Sequence, residues 1–206
     1  MITSIFCEQV HLGAFLFFDR DAAERSNLST VIQTLACQLG EADPQIGLAI
    51  SDAIKEFSGI IRSPLHFQFL KLLIEPLSSI EPKSTLLVVL DALDECGSPQ
   101  EQEQLLEILA EGSCMLPLTV RVLAISHAAP DITNAFGFHT HIVSHQLDIG
   151  SSSNHNNIFT FFQHSTAKIH CTRKHIFPEL DWPGNDIIHQ LTACASSLII
   201  WASTTL

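Results

Sequence analysis

Apolar and polar positions along this chain follow two rhythms. Short, nearly unbroken apolar runs stand at residues 12–18 (LGAFLFF), 86–90 (LLVVL) and 120–125 (VRVLAI), and their length suits β-strands. The middle run carries no polar residue at all, which predicts a strand buried on both faces of a parallel sheet. Residues 141–147 alternate between apolar and polar and predict a last strand at a sheet edge.

Between the runs the apolar period lengthens to three or four. Val31, Leu35 and Leu39, with Ile32 beside them, predict a helix over 27–39 that Gly40 stops. Asp43-Pro44 supplies a cap and a proline for the first helical position, with Ile46, Ile50, Ala53, Ile54 and Phe57 on the buried face. Ser63-Pro64 repeats that signal ahead of Leu70, Leu73, Ile74 and Leu77. Ser98-Pro99 with Glu101 forms a capping box before Leu105, Leu106 and Leu109. The serine- and asparagine-rich segment 150–157 reads as a loop or boundary. Beyond it, Ile158, Phe161, Phe162 and Ile169 mark one helix and residues 186–201 another, separated by Phe177-Pro178 and Trp182-Pro183. Strands alternating with helices make the expected fold class α/β, with a mostly parallel sheet over 1–150 and a helical annex over 151–206.

Composition narrows the function. With 46% hydrophobic and 16% charged residues, the chain belongs with globular domains. A net charge of -12 leaves no basic stripe to displace counterions, which argues against nucleic acid as a partner. The long uncharged stretch at 187–206 is broken by His189, Gln190 and Thr192, so no membrane span is expected. The first residues lack a basic segment, and Glu8 interrupts their apolar run, so no signal peptide is read there. Six cysteines without a C-x-x-C pair read as reduced thiols, and the expected location is cytoplasmic. Two histidine groups stand out, His139, His141 and His145, and His170, Cys171 and His175; neither has the ligand spacing of a zinc site.

The chemistry gathers after the 86–90 run, where Asp91, Asp94 and Glu95 follow within five positions. A buried parallel strand that delivers carboxylates at its C-terminal end is suited to holding Mg²⁺ and polarising a water, as in P-loop NTPases. Mg²⁺ needs only one or two protein carboxylates when phosphates and waters complete its shell. The plainer reading of the same residues is a core strand running into a solvated acidic turn, with Glu95 opening the Cys96-Gly97 bend. A metal-dependent hydrolase using Asp91, Asp94 and the His139–His145 group is a further alternative.

Five blocks in order, LGAFLFFDRDAAER (12–25), QFLKLLIEPL (68–77), LLVVLDALDEC (86–96), LPLTVRVLAISHAAPDI (116–132) and WPGNDIIHQLTACASSLIIWAST (182–204), resemble the fungal NACHT or nephrocystin-like NTPases of the STAND signal-transduction class. The resemblance implies that Asp91 binds the Mg²⁺ of ATP or GTP, through water. It implies that Asp94 and Glu95 position or activate the hydrolytic water, and that Ser126 and His127 lie beside the γ-phosphate. Departures accompany it. The sequence contains no G-x-x-x-x-G-K-[ST], the loop that cradles phosphates. By the family pattern that loop would precede Met1, since residues 3–7 resemble the helix it opens. His127 stands where the family carries an arginine, and it lacks the bidentate fork and permanent charge. Asn157 takes the place of an acid, and Ser197 that of a glycine.

The implied object is an N-terminally truncated, P-loop NTPase-like domain lacking its P-loop strand. In the family that strand is central, between the counterparts of 120–125 and 141–147, so these two cannot both pair as they do there. Mg²⁺ with ATP or GTP belongs to the complete domain, and none is expected on this chain alone. Two functions follow: a fragment of a nucleotide-controlled switch, or a non-catalytic decoy that self-associates or binds full-length NACHT proteins.

Overall fold

A computed structural model describes residues 11–22, 28–80, 84–148, 150–172 and 182–205. Among these, the strands are β1 (His11–Phe17), β2 (Leu86–Asp91) and β3 (Val120–Ala124), all parallel and in the order β1-β2-β3. Phe15 pairs with Val89, which in turn pairs with Leu123. The all-apolar run thus takes the centre, where every side chain from Leu86 to Leu90 is buried. Full burial of each stabilises the fold by about 1.5–3 kcal/mol before entropy is counted.

One face of the sheet meets helix α1 (Leu28–Ala42), whose Val31, Ile32, Leu35 and Leu39 are all buried with Ala14, Leu86, Val88 and Leu90. The helix does not stop at Gly40 but runs on to Ala42. Gly40 serves packing instead: a Cβ on Gly47 would stand 2.8 Å from its carbonyl oxygen, so the bare glycines let α2 (Pro44–Glu56) cross close against α1. Asp43 caps α2, its side chain accepting the Gln45 N–H at 2.8 Å. Ile46 and Ile50 are buried, but Ile54 is not; eight residues after Ile46, it falls to one side of the stripe.

Helix α3 (Leu65–Phe69) passes into a π-helical turn, Leu70–Ile74, and then α4 (Glu75–Ser78). Helix α5 (Pro99–Gly112) opens on the expected capping box, Ser98 and Glu101 each accepting the other's backbone N–H. Helix α6 (Pro130–Gly137), absent from the sequence reading, follows β3 and buries Ile132. The edge strand expected at 141–147 does not form. Val143 is 91% and Leu147 77% exposed, so its alternating apolar positions have no surface to cover, and His141 is instead tied to the end of α5.

The chain divides into two compact units, residues 1–144 and 145–206. In the second, α7 (Ser152–Thr172), α8 (Asn185–Cys194) and α9 (Ile199–Thr205) share a small core of Ile158, Phe162, Ile188, Ala195 and Ala202. The single helix expected over 186–201 is two, because Ser196 and Ser197 take positive φ of 45° and 68° and turn the chain. Residues 3–7, Asn27, His175 and Phe177-Pro178 lie outside the described residues. No helix among the described residues is long and apolar enough to cross a membrane.

Candidate functional site

Parallel strands end on the same edge, so the residues that follow β1, β2 and β3 are neighbours there. Hydrogen bonds extend the pairing past the strands: Phe18 N–H to the Asp91 carbonyl at 2.9 Å, Ile125 N–H to that of Leu90 at 2.8 Å, and Leu93 N–H to that of Ile125 at 3.0 Å. Directly after β2 the chain bends at Ala92, whose φ of 56° lies in the left-handed region. That bend starts the 3₁₀ turn Leu93–Glu95 and aims its acids along the edge rather than onward from the strand. Leu93 anchors the turn in the core at 0% exposure, and Gln102 from α5 donates to its carbonyl at 3.2 Å.

The acids have different surroundings. Asp91 is half-buried, and its Oδ1 accepts the N–H of Ala92 at 3.0 Å. Asp94 is turned toward the end of β3: Oδ1 accepts the backbone N–H of His127 at 3.0 Å, and Oδ2 lies 2.8 Å from its Nδ1. Glu95 faces β1, its Oε2 accepting the N–H of Arg20 at 3.3 Å, while the Arg20 guanidinium donates to the Asp94 carbonyl at 2.8 Å. One acidic turn therefore ties together the loops after all three strands.

Electrostatics follow from this geometry. Burial of Asp94 pulls its pKa upward, but the hydrogen bonds from the His127 ring and backbone outweigh that and hold it below the ordinary carboxylate value. His127 moves the other way, raised chiefly by its hydrogen bond to Asp94 and then by the charges of Asp94 and Glu95. The pair is a carboxylate made easier to ionise facing a histidine made easier to protonate.

Sequence reasoning named Asp91, Asp94, Glu95, Ser126 and His127, and all lie at this edge. Ser126 is exposed on the loop that carries His127. Arg20 reads from the sequence only as part of the charged end of the first run, not as a site residue, although it comes three residues after Phe17, the register partner of Asp91. His139 and His141 stack edge-to-face at 5.4 Å, with the His141 Nε2 at 2.9 Å from the Ala110 carbonyl and 3.1 Å from the Ser113 hydroxyl. His170 lies against Trp182 in the second unit.

Among the described residues no three His, Cys, Asp or Glu side chains converge as a metal cage. Asp91 and Glu95 suit Mg²⁺ only as minor contributors to an octahedron that phosphates and waters fill. The sequence offers no glycine-rich loop to bring such phosphates.

A three-stranded parallel sheet with its helices defines a mixed α/β protein carrying an acidic turn at the C-terminal edge of the sheet. A family model described as Nephrocystin 3, N-terminal matches residues 1–127, from ahead of β1 through His127. The chain belongs to that family. No curated protein and no solved structure matches it.

Proposed function

We propose that the chain is part of a NACHT-type, nucleotide-controlled signalling switch of the STAND class, carrying the Walker B strand of a P-loop NTPase fold without the phosphate-binding loop. The observation that carries this reading is the convergence of Asp91, Asp94, Glu95, Ser126 and His127 at one edge of the parallel sheet, where ligands of such sheets bind. In a complete domain Mg²⁺ neutralises phosphate charge, and Asp91 is the residue here that would hold it, through water. Glu95 is the better candidate for polarising an attacking water, because both Asp94 oxygens are taken by His127. Asp94 then acts as a positioning residue for His127. The 206 residues alone bind neither ATP nor GTP tightly, since their sequence contains no G-x-x-x-x-G-K-[ST].

The test places a G-x-x-x-x-G-K-[ST] strand–loop–helix segment ahead of Met1 and titrates that chain and the unextended one with mant-ATP and mant-GTP in Mg²⁺. Micromolar binding by the extended chain, weakened at least about tenfold by Asp91→Ala and missing from the unextended chain, supports the reading. Binding indifferent to Asp91→Ala, or binding by neither chain, overturns it.

A second reading, a non-catalytic module that pairs with itself or with full-length NACHT proteins, draws on the exposure of Phe15 (38%) and Phe17 (44%) on an outer strand. Concentration-dependent sedimentation abolished by Phe15→Ser/Phe17→Ser supports it. A monomer at all concentrations that ignores longer family members removes it.

A further inference from the structure

A cleft of about 660 Å³ opens between α3 with its π turn and α5, and none of its lining residues belongs to the acidic edge of the sheet. Its walls are apolar: Leu65, Phe69, Leu70 and Ile74 on one side, Ile108 and Met115 on the other. The π turn shapes the first wall. Glu75 donates its N–H to the Leu70 carbonyl five residues back, just before Pro76, which has no N–H to give and whose ring crowds the preceding turn. At the base, a Cβ on Gly112 would stand 2.4 Å from the Phe69 ring, so the glycine lets that ring lie against α5. The floor is closed, while the mouth stays open, with Met115 53% exposed.

The rim has one sign of charge. Glu107 and Glu111 stand one helical turn apart on α5, both exposed, and Glu103 continues the row a turn earlier. Like charges at this spacing disfavour the helix. Neither Glu107 nor Glu111 forms an ion pair among the described residues. Among the described residues the other titratable one lining the cleft is His66, and no lysine or arginine lines it. The chain's net charge of -12 adds long-range attraction for a cationic partner.

The geometry points to this cleft as a docking groove for a helical segment of another protein, apolar along one side and carrying Lys or Arg beside that stripe. Apolar anchors at i and i+3 or i+4 enter between Phe69 and Ile108, and the flanking cations meet Glu107 and Glu111. The inference stands apart from the nucleotide-switch reading, because it uses neither the acidic turn nor a phosphate.

The test selects displayed random peptides of about 15 residues, roughly four helical turns, on the immobilised 206-residue chain. Enriched peptides are then measured by fluorescence anisotropy against the wild type, Glu107→Lys/Glu111→Lys and Met115→Glu. All three substitutions are at exposed positions, and the fold of each variant is checked by circular dichroism. Expected are peptides combining spaced apolar residues with Lys or Arg, saturable binding, roughly tenfold weaker affinity for each variant, and amide shifts centred on residues 65–74 and 104–115. No enrichment, enriched peptides without basic residues, equal binding to the charge-reversed variant, or wild-type amide shifts centred elsewhere would each overturn the proposal.

Discussion

The Asp94 carboxylate holds His127 at two points, the backbone N–H at 3.0 Å and ring Nδ1 at 2.8 Å, and so links the turn after β2 to the loop after β3. Asp94 is 16% exposed and the His127 ring 88%, so a shielded acid grips a wet base. The histidine pKa is raised above 6.5 by the bond, and the stabilisation it gives is full below that value and fades as pH rises through the folded-state midpoint. The Asp94 pKa is lowered, so its share is present above 3.8 and is lost as pH falls through the folded midpoint. The link is therefore complete between about pH 4 and the mid-6 range. An NMR titration of His127 should show a midpoint above the ordinary imidazole value, returning toward it in Asp94→Asn. An unchanged midpoint in that variant means the bond is not made in solution.

Cys96 closes the acidic turn and is 1% exposed, and burial, with a smaller contribution from the charge of Glu101, pushes its thiol up to about 12. A thiol that stays protonated is a poor nucleophile. Iodoacetamide at pH 8 should modify the exposed Cys37, Cys114, Cys171 and Cys194 while sparing Cys96 until the chain is unfolded, as read by peptide mass spectrometry. The sign of the pH effect is fixed as well. The folded value lies above the ordinary 9.0, so stability from the neutral thiol holds below pH 9 and declines as pH climbs toward 12. Rapid alkylation of Cys96 in the native chain contradicts its burial.

How far the sequence revealed all this depends on the kind of interaction. The centre of the sheet was legible because five adjacent apolar residues admit only a site covered on both faces. The caps at Asp43 and Ser98 were legible because they are local, satisfied within three residues. The Asp94–His127 grip was not, since it depends on the left-handed bend at Ala92 and on the register of β3 beside β2, neither written in any short window. Alternation at 141–147 misled because alternation becomes a strand only beside a partner. The break between α8 and α9 was hidden for a related reason: two serines rarely take positive φ, and only tertiary packing asks it of them.

Two glycines predict opposite outcomes. A methyl on Gly47 meets the Gly40 carbonyl oxygen at 2.8 Å, a backbone atom that cannot rotate away. Overpacking of this kind costs about 1–3 kcal/mol, against a helix-propensity gain of about 1 kcal/mol. Gly47→Ala should therefore destabilise the chain by up to about 2 kcal/mol in urea denaturation. Gly59 has nothing within 4 Å of its virtual Cβ, and its φ is -91°. Gly59→Ala should be neutral or stabilise by up to about 1 kcal/mol through the unfolded state. Equal effects from both would show that α1 and α2 do not approach as described.

Thr119, immediately before β3, carries the single buried side-chain oxygen among the described residues that lacks a hydrogen-bond partner. Its carbonyl accepts the Leu86 N–H at 2.8 Å. A buried hydroxyl without a partner costs about 1–3 kcal/mol of desolvation, whereas valine fills the same outline with a methyl and favours the extended backbone of the adjoining strand. Thr119→Val should accordingly raise the unfolding free energy by about 1 kcal/mol, seen as a higher denaturation midpoint at unchanged slope. Thr119→Ser keeps the hydroxyl and removes the methyl, so it should lower the midpoint. If valine destabilises the chain as much as serine does, the Thr119 hydroxyl has a partner in solution, and the packing at the start of β3 differs from that described.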